Sequence, residues 1–162
     1  MIIIVFGVTG AGKTTVCRLL AEQLGWQFYD ADQFHPAGNV EKMRQGVPLT
    51  DADRRPWLKN LTAAIRGWLE RGENAVLACS ALKEEYRRYL QIGRDVRFIY
   101  LRAKYELIEE RLRRRRGHFM HPALLPSQFE TLEEPAAGEA VVLDPDKNPQ
   151  DMVEQIRKEL KI

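Results

Sequence analysis

Short apolar runs alternate with amphipathic stretches along the chain. The first run, 2–6, is continuous, rich in β-branched residues and ends at Gly7, which predicts a strand buried on both faces. Further strands are predicted at 27–29, 75–79, 96–101 and 140–143. Apolar residues at helical spacing predict helices at 13–24, 40–44, 83–90, 104–114, 126–133 and 149–160, and a long one from the cap signal at Thr50 to Gly72. This alternation predicts parallel strands joined by right-handed crossovers.

The composition narrows the class of protein. The chain has 162 residues, which suits one domain with one hydrophobic core. Its net charge of +2, made of mixed signs, gives no general case for a nucleic-acid partner. No apolar stretch approaches the ~20 residues that span a bilayer, and the first residues lack the basic region of a signal peptide. Cys17 and Cys79 suit buried, reduced thiols, so we expect a cytoplasmic protein with no membrane partner.

The segment 7–14, Gly-Val-Thr-Gly-Ala-Gly-Lys-Thr, matches the phosphate-loop pattern G-x-x-x-x-G-K-[ST] and lies between a predicted strand and a predicted helix. Glycines let the backbone wrap a phosphate with its N–H groups inward, and the helix N-terminus adds a favourable dipole. Lys13 is expected to reach the β- and γ-phosphates of ATP, and the Thr14 hydroxyl to bind Mg²⁺. The nucleotide-binding residues predicted here are Gly7, Val8, Thr9, Gly10, Ala11, Gly12, Lys13, Thr14 and Thr15.

Two carboxylates, Asp30 and Asp32, follow the second predicted strand. Ligands of parallel α/β sheets bind at the carboxyl ends of strands, so both side chains can face the phosphate loop. One is expected to hold Mg²⁺ through a water molecule, and the other to orient or deprotonate an attacking hydroxyl. The alternative is a solvated turn in which Asp is favoured by local hydrogen bonds. The later strand at 75–79 is followed by Ser80 rather than Asp, which leaves Asp30 as the better metal candidate.

Basic side chains are frequent in two segments. Segment 35–59 mixes cationic, acidic and amide side chains, which suits a binding site for an acceptor that bears a carboxylate, and equally suits a solvated helical surface. Arginine is repeated at 111–116, just before Gly117, which suits a mobile segment that closes over a triphosphate. The alternatives for this run are an exposed charged face and an arginine-rich nucleic-acid site.

In their order along the chain, these motifs resemble those of the bacterial-type gluconate kinases (gluconokinases), in the shikimate kinase-like and nucleotide kinase-like group of P-loop proteins. The resemblance covers nearly the whole chain. Beyond the phosphate loop, it rests on Asp-Ala-Asp-Gln-Phe-His-Pro at 30–36, Gly46-x-Pro-Leu, Asp51-x-Asp-Arg-x-Pro-Trp-Leu, Cys79-Ser-Ala-Leu-Lys, Arg116-Gly-His-Phe and Gln128-Phe-Glu-Thr-Leu-Glu. The phosphate loop alone is not specific to this family, whereas the ordered set is.

The resemblance implies phosphoryl transfer from ATP to D-gluconate, giving 6-phospho-D-gluconate and ADP, with Mg²⁺ as the metal and a role in the pentose phosphate pathway. It implies a homodimer of a P-loop NTPase fold, with one kinase domain over 1–162. We expect a three-layer α/β/α sandwich around a five-stranded parallel sheet in the order 2-3-1-4-5. The acceptor-binding segment is expected at about 35–60 and a mobile lid at about 113–126.

The resemblance also implies roles for the residues nearest the reaction. Asp32 would bind the acceptor and act as the base, while Asp30 and Thr14 would place Mg²⁺. Lys13 and Arg116 would stabilise charge on the phosphoryl group as it is transferred.

The remaining predicted site residues surround the nucleotide and the acceptor. Arg111 and Arg115 would contact the nucleotide from the lid. The acceptor would be held by Asp32, His35, Lys42, Arg54, Ser80, Lys83 and Gln128, the last in a segment that would also support the nucleotide side.

Other functions stay open at this level. One is a P-loop kinase for another small hydroxy acid, such as shikimate. Another is a nucleotide-dependent regulatory switch, although a switch needs no acceptor site and the segment at 35–59 suits one. An RNA-binding module built on the arginines at 111–116 is the third.

Overall fold

The computed structural model describes residues 1–114 and 124–162. In these ranges, five parallel strands form one sheet: β1 (Ile2–Phe6), β2 (Gln27–Asp30), β3 (Ala75–Cys79), β4 (Val96–Leu101) and β5 (Val141–Leu143). Their order across the sheet is β2-β3-β1-β4-β5, and each neighbouring pair is parallel. The predicted α/β fold and strand order are therefore confirmed.

Helices connect the strands. They are α1 (Lys13–Leu24), α2 (Ala37–Arg44), α3 (Asp51–Glu70), α4 (Glu84–Leu90), α5 (Tyr105–Arg114), α6 (Leu124–Thr131) and α7 (Pro149–Leu160). Within the two described ranges, no helix combines the length and the apolar character needed to cross a bilayer.

The start of α2, a short 3₁₀ helix and the start of α6 differ from the prediction. The carbonyl of Pro36 accepts hydrogen bonds from the N–H groups of Asn39 and Val40, so α2 begins at Ala37 although apolar periodicity begins at Val40. A 3₁₀ helix at Ala31–Phe34 was not predicted, because four residues are too few to show an apolar period. α6 also begins two residues earlier than expected.

The sheet separates two layers of apolar side chains. Alternate residues of β1 point to opposite faces, so Ile3 and Val5 pack with α1 and α7, while Ile4 and Phe6 pack with α3 and α4. Every residue of β1 and β3 is buried. The three-layer arrangement follows from this burial on both faces.

The carboxyl edge of the sheet gathers the loops that carry the predicted site. The loop after β1 and the loop after β3 run side by side there, and the Gly7 N–H donates to the Ser80 carbonyl at 3.3 Å. The polar turn after β2 leaves from the same edge, because β2 is parallel to β3. Residues distant in sequence are therefore brought together at one end of the sheet.

Gly7→Ala should destabilise the protein. Gly7 has a φ of 148°, and a Cβ atom at this position would lie 2.8 Å from the Leu101 carbonyl oxygen. Because both the backbone conformation and the contact oppose a side chain, we expect the free energy of unfolding to fall by about 1–3 kcal/mol. Urea denaturation measures this change.

Gly38→Ala is the matched control. Gly38 lies inside α2, is exposed, and a Cβ atom there would meet nothing within 4 Å. Alanine should therefore stabilise the protein slightly, by about 0.5–1 kcal/mol, through its higher helix propensity. Equal stability losses in the two variants would contradict the close packing under Gly7.

Candidate active site

The phosphate loop leaves the middle strand of the sheet and ends at the first turn of α1. Gly12, with a φ of 97°, precedes the helix, and no side chain caps the N-terminus of α1. The N–H groups of this turn therefore suit an anion, whose charge the helix dipole stabilises. Lys13 Nζ donates to the carbonyls of Gly7 (3.0 Å) and Val8 (2.8 Å). Burial lowers the pKa of Lys13, and the negative charge of Asp32 opposes that shift.

The two carboxylates are held by the turn that follows β2. Asp30 Oδ1 accepts a hydrogen bond from the Asp32 N–H at 3.0 Å, which starts the 3₁₀ helix. The next carbonyl, of Ala31, accepts from Trp57 Nε1 of α3 at 2.9 Å. Burial, followed by the charge of Asp30, raises the pKa of Asp32 to about 6, against the effect of Lys13. At neutral pH, Asp32 is then mostly ionised and can accept a proton.

One cleft of about 150 Å³ joins the phosphate loop to the acceptor segment. Among the predicted residues, its lining includes Thr9, Gly10, Gly12, Lys13, Thr14, Thr15, Asp30, Asp32, His35, Arg54, Ser80 and Gln128. Val8 and Ala11 belong to the loop but are buried in the core behind it. The structure thus brings the predicted phosphate-binding and acceptor-binding residues to the same cleft.

Gly7 also lies outside the lining, as do three predicted residues that do not belong to the phosphate loop. Lys42 is paired with the Asp53 carboxylate at 2.9 Å, and Lys83 with Asp51 at 2.8 Å. Arg111 donates to the carbonyls of Gly10 (3.2 Å) and Pro145 (2.6 Å), so it links the phosphate loop to the segment after β5.

Two more predicted residues, Arg115 and Arg116, lie outside the described residues, as does most of the predicted lid. Arg113 and Arg114, at its start, belong to the last turn of α5 and pair with glutamates of the same helix.

The N-terminal turn of α3 positions Arg54. Thr50 and Asp53 form a capping box, and the Thr50 backbone N–H, followed by Lys42, lowers the pKa of Asp53 to about 2. The Arg54 guanidinium lies over the Tyr86 ring, 5.7 Å from its centroid, and Nη1 is 3.4 Å from the Tyr86 hydroxyl. That hydroxyl in turn donates a short hydrogen bond to Asp51. Tyr86 lines the cleft and was missed by sequence reasoning, because only the packing of α4 on α3 brings it there.

His35 lies on the acceptor side of the cleft, against an aromatic surface. Its ring stacks on Trp57, with the centroids 4.7 Å apart and the planes at 12°. Asn39 Nδ2 lies 3.2 Å from His35 Nδ1. Burial, followed by the positive charge of Arg54, lowers the pKa of His35 to about 4. His35 is therefore neutral at physiological pH.

Gln128 connects α6 to the phosphate loop. Its Oε1 accepts a hydrogen bond from the Thr9 N–H at 2.7 Å. Leu125, one turn earlier in α6, packs in the same apolar cluster as Val8 and Ala11. The helix therefore supports the loop by both a polar and an apolar contact.

The oxygen ligands that the cleft offers suit a magnesium ion that binds together with a polyphosphate. Thr14 is exposed at the start of α1, and Asp30 lines the same cleft, so a hydroxyl and a carboxylate are present. Within the described ranges, no group of three or more His, Cys, Asp or Glu side chains could form a protein cage for a metal. Magnesium commonly takes one or two protein oxygens and completes its shell with phosphates and water.

Comparison with known proteins relates this chain to small-molecule kinases. The model of the shikimate kinase family matches residues 9–161. The chain is 46% identical over 157 residues to a gluconokinase of Gluconobacter oxydans, a match that covers 95% of this chain and 88% of the relative.

Solved structures agree with these sequence matches. A sugar kinase from Janibacter sp. HTCC2649 superposes with a TM-score of 0.94 at 39% identity, covering 99% of this chain and 94% of the other. A gluconokinase from Sinorhizobium meliloti 1021 gives a TM-score of 0.81 at 36% identity, with coverages of 98% and 94%. The resemblance found in the motifs is confirmed, and the chain belongs to the gluconokinase family, within the shikimate kinase-like P-loop kinases.

Proposed function

We propose that this protein phosphorylates D-gluconate with ATP, giving 6-phospho-D-gluconate and ADP. The observation that carries the proposal is the single cleft in which the phosphate loop and Asp32 face Arg54 and His35. A P-loop hydrolase needs only a water molecule as acceptor, whereas this cleft is also lined by Arg54 and His35, which suits a larger polar acceptor. Membership of the gluconokinase family supports gluconate as the acceptor.

The chemistry is an in-line displacement at the γ-phosphorus. The acceptor hydroxyl oxygen forms a bond to phosphorus, the bond to the oxygen that bridges the β- and γ-phosphates breaks, and ADP leaves with that electron pair. Asp32 accepts the hydroxyl proton. Lys13 exchanges its contacts with the loop carbonyls for phosphate oxygens and stabilises the charge that develops on them.

Thr14 and Asp30 would hold magnesium. When bound, the ion neutralises charge on the β- and γ-phosphates. Asp30 also accepts a hydrogen bond from the backbone N–H of Asp32, which fixes the position of Asp32. Asp30 would therefore both hold the metal and position the base.

Arg54 is proposed to pair with the carboxylate of the acceptor. The guanidinium is held over the Tyr86 ring, so less side-chain freedom is lost when it binds. Ser80 lines the same cleft and can contribute a hydroxyl. We assign the acceptor side to residues 35–60, as the sequence predicted. In that segment Lys42 holds α3 through Asp53. Lys83, which lies outside the segment and just before α4, holds α3 through Asp51.

Gln128 is proposed to act between the two substrates. Its Oε1 accepts a hydrogen bond from the Thr9 N–H of the phosphate loop, and it lines the cleft that the acceptor segment shares, so it lies where both substrates would meet. The homodimer, the pathway, the cytoplasmic location and the lid at 113–126 remain predictions from the resemblance.

Turnover should depend on gluconate. ADP release, followed with a coupled assay in ATP and magnesium, should be strongly stimulated by gluconate and not by its sugar-acid analogues, shikimate or nucleoside monophosphates. Stimulation by another acceptor alone would keep the kinase mechanism and overturn the substrate. Slow ATP hydrolysis that no acceptor stimulates would favour the switch.

Lys13→Ala and Asp32→Asn should each remove most of the activity. Loss of the ammonium removes charge stabilisation at the transferred group, so kcat/KM should fall by about a hundredfold or more. An amide of the same shape cannot accept the proton, so Asp32→Asn should lower kcat by roughly 10²–10⁴-fold.

The controls are Lys59→Ala on the outer surface of α3 and Asp95→Asn beside the amino end of β4. Both side chains are exposed and absent from the cleft lining. Steady-state kinetics on folded proteins should show near-normal rates for both. Wild-type kcat in Asp32→Asn would exclude that carboxylate as the base.

Arg54→Met should weaken acceptor binding more than nucleotide binding. An arginine–carboxylate contact contributes roughly 1.5–3 kcal/mol, so the KM for gluconate should rise at least about tenfold. Arg55→Met is the matched control, because Arg55 is the exposed neighbour on α3 and does not line the cleft. If Arg54→Met raised the KM for ATP alone, the assignment of Arg54 to the acceptor would be wrong.

A further inference from the structure

The amide of Asn39 has only one orientation that satisfies its surroundings. Asn39 is buried in the first turns of α2. The atom that faces the Asp53 carbonyl lies 2.7 Å from it. Because a carbonyl oxygen can only accept, that atom must be the amide nitrogen.

This orientation determines the protonation of the neighbouring imidazole. The same amide nitrogen lies 3.2 Å from His35 Nδ1 and can only donate. His35 Nδ1 must therefore present its lone pair. In a neutral imidazole, the proton then resides on Nε2.

The ring is also fixed in direction. His35 stacks on Trp57, and Trp57 is held by its own hydrogen bond to the Ala31 carbonyl. Among the described residues, Nε2 has no hydrogen-bond partner, while His35 lines the cleft. A ligand oxygen in the cleft would meet an N–H donor at this point.

The surroundings favour the neutral ring. The charged groups of the cleft include Arg54 from α3, Lys13 from α1 and the carboxylates of Asp30 and Asp32. Burial, followed by the charge of Arg54, lowers the pKa of His35 to about 4. The donor therefore carries no charge across the physiological range of pH.

We propose that Asn39 is a positioning residue that fixes His35 as the Nε2–H tautomer, so that His35 donates a hydrogen bond to an oxygen of the acceptor. The inference rests on the proposed acceptor role of this cleft. Arg54 supplies charge and would bind any carboxylate nearby. A neutral donor of fixed direction, such as His35 Nε2–H, selects acceptors that carry an oxygen at the matching position. A site built to hydrogen-bond a hydroxyl rejects analogues that lack it far more strongly than a hydrophobic pocket rejects a change of size.

The tautomer can be observed without any acceptor. In the full-length protein labelled with ¹⁵N-histidine, long-range ¹H–¹⁵N correlation spectra distinguish Nε2–H from Nδ1–H rings, and His35→Gln identifies the signal among the three histidines. We expect an Nε2–H pattern that does not change between pH 8 and pH 5. An Nδ1–H pattern, or titration near pH 6.5, would overturn the proposal. This measurement stands even if the true acceptor is not gluconate.

Asn39→Asp tests the control by the amide. A carboxylate at this position accepts from Nδ1–H, so the tautomer should reverse or the ring should become charged. The KM for gluconate should then rise at least about fivefold, with little change in the KM for ATP. Asn60→Asp is the matched control, because Asn60 Nδ2 also donates to a backbone carbonyl, that of Phe34 at 3.3 Å, but lies on an exposed residue outside the cleft lining. An unchanged histidine spectrum in Asn39→Asp would overturn the role of Asn39.

A pair of substitutions at His35 tests the donor itself. Glutamine can place an N–H group near the position of Nε2, whereas methionine fills similar space with no donor. His35→Met should raise the KM for gluconate about tenfold, and His35→Gln should recover part of that loss. Equal KM values in the two variants would show that the donor does not contact the acceptor. This pair decides the question even if Asn39→Asp fails to fold.

Discussion

Burial of β1 on both faces is the constraint on which the rest of this structure depends. A strand in the middle of a parallel sheet must end at the carboxyl edge between its two neighbours, so the loop that follows opens where the loops after β2 and β3 also end. The loop can make its turn only because a side chain is absent at Gly7, where the Leu101 carbonyl closes the space. Site geometry is therefore a consequence of sheet order.

Several basic residues near the cleft are already paired within the protein. Lys42 and Lys83 pair with carboxylates on the first turn of α3, while Arg111 donates to the carbonyls of Gly10 and Pro145. Lys13 and Arg54 remain directed toward the cleft. Within the basic segment 35–59, Arg54 is thus the arginine that lines the cleft, while Lys42 helps to hold the helix that carries it.

Sequence patterns predicted the strands, most of the helices and the phosphate loop, because each rests on a local signal: an apolar run, a helical period or a motif with fixed spacing. The order of the strands is not a local property, and it was expected from the resemblance to the family. They also predicted that Asp32, His35 and Arg54 would share a cleft, through the ordered motifs of the family. They placed Lys42 and Lys83 beside the acceptor, whereas the structure pairs them with acids that lie close only after α2, α3 and α4 have packed. Tyr86 escaped prediction for the same reason. Short elements such as the 3₁₀ helix are set by one side-chain hydrogen bond, which has no periodic signature.

The contacts of Lys13 with the carbonyls of Gly7 and Val8 have a consequence for nucleotide binding and product release. In this arrangement the ammonium already has partners, so under the proposed mechanism a bound nucleotide would replace two hydrogen bonds rather than simply add new ones. The net gain for a ligand then depends on how much negative charge it brings, which favours a triphosphate over a product with fewer charges. Once the product dissociates, Lys13 can again donate to the same two carbonyls. The loop then returns to a defined conformation and no cation is left without a partner.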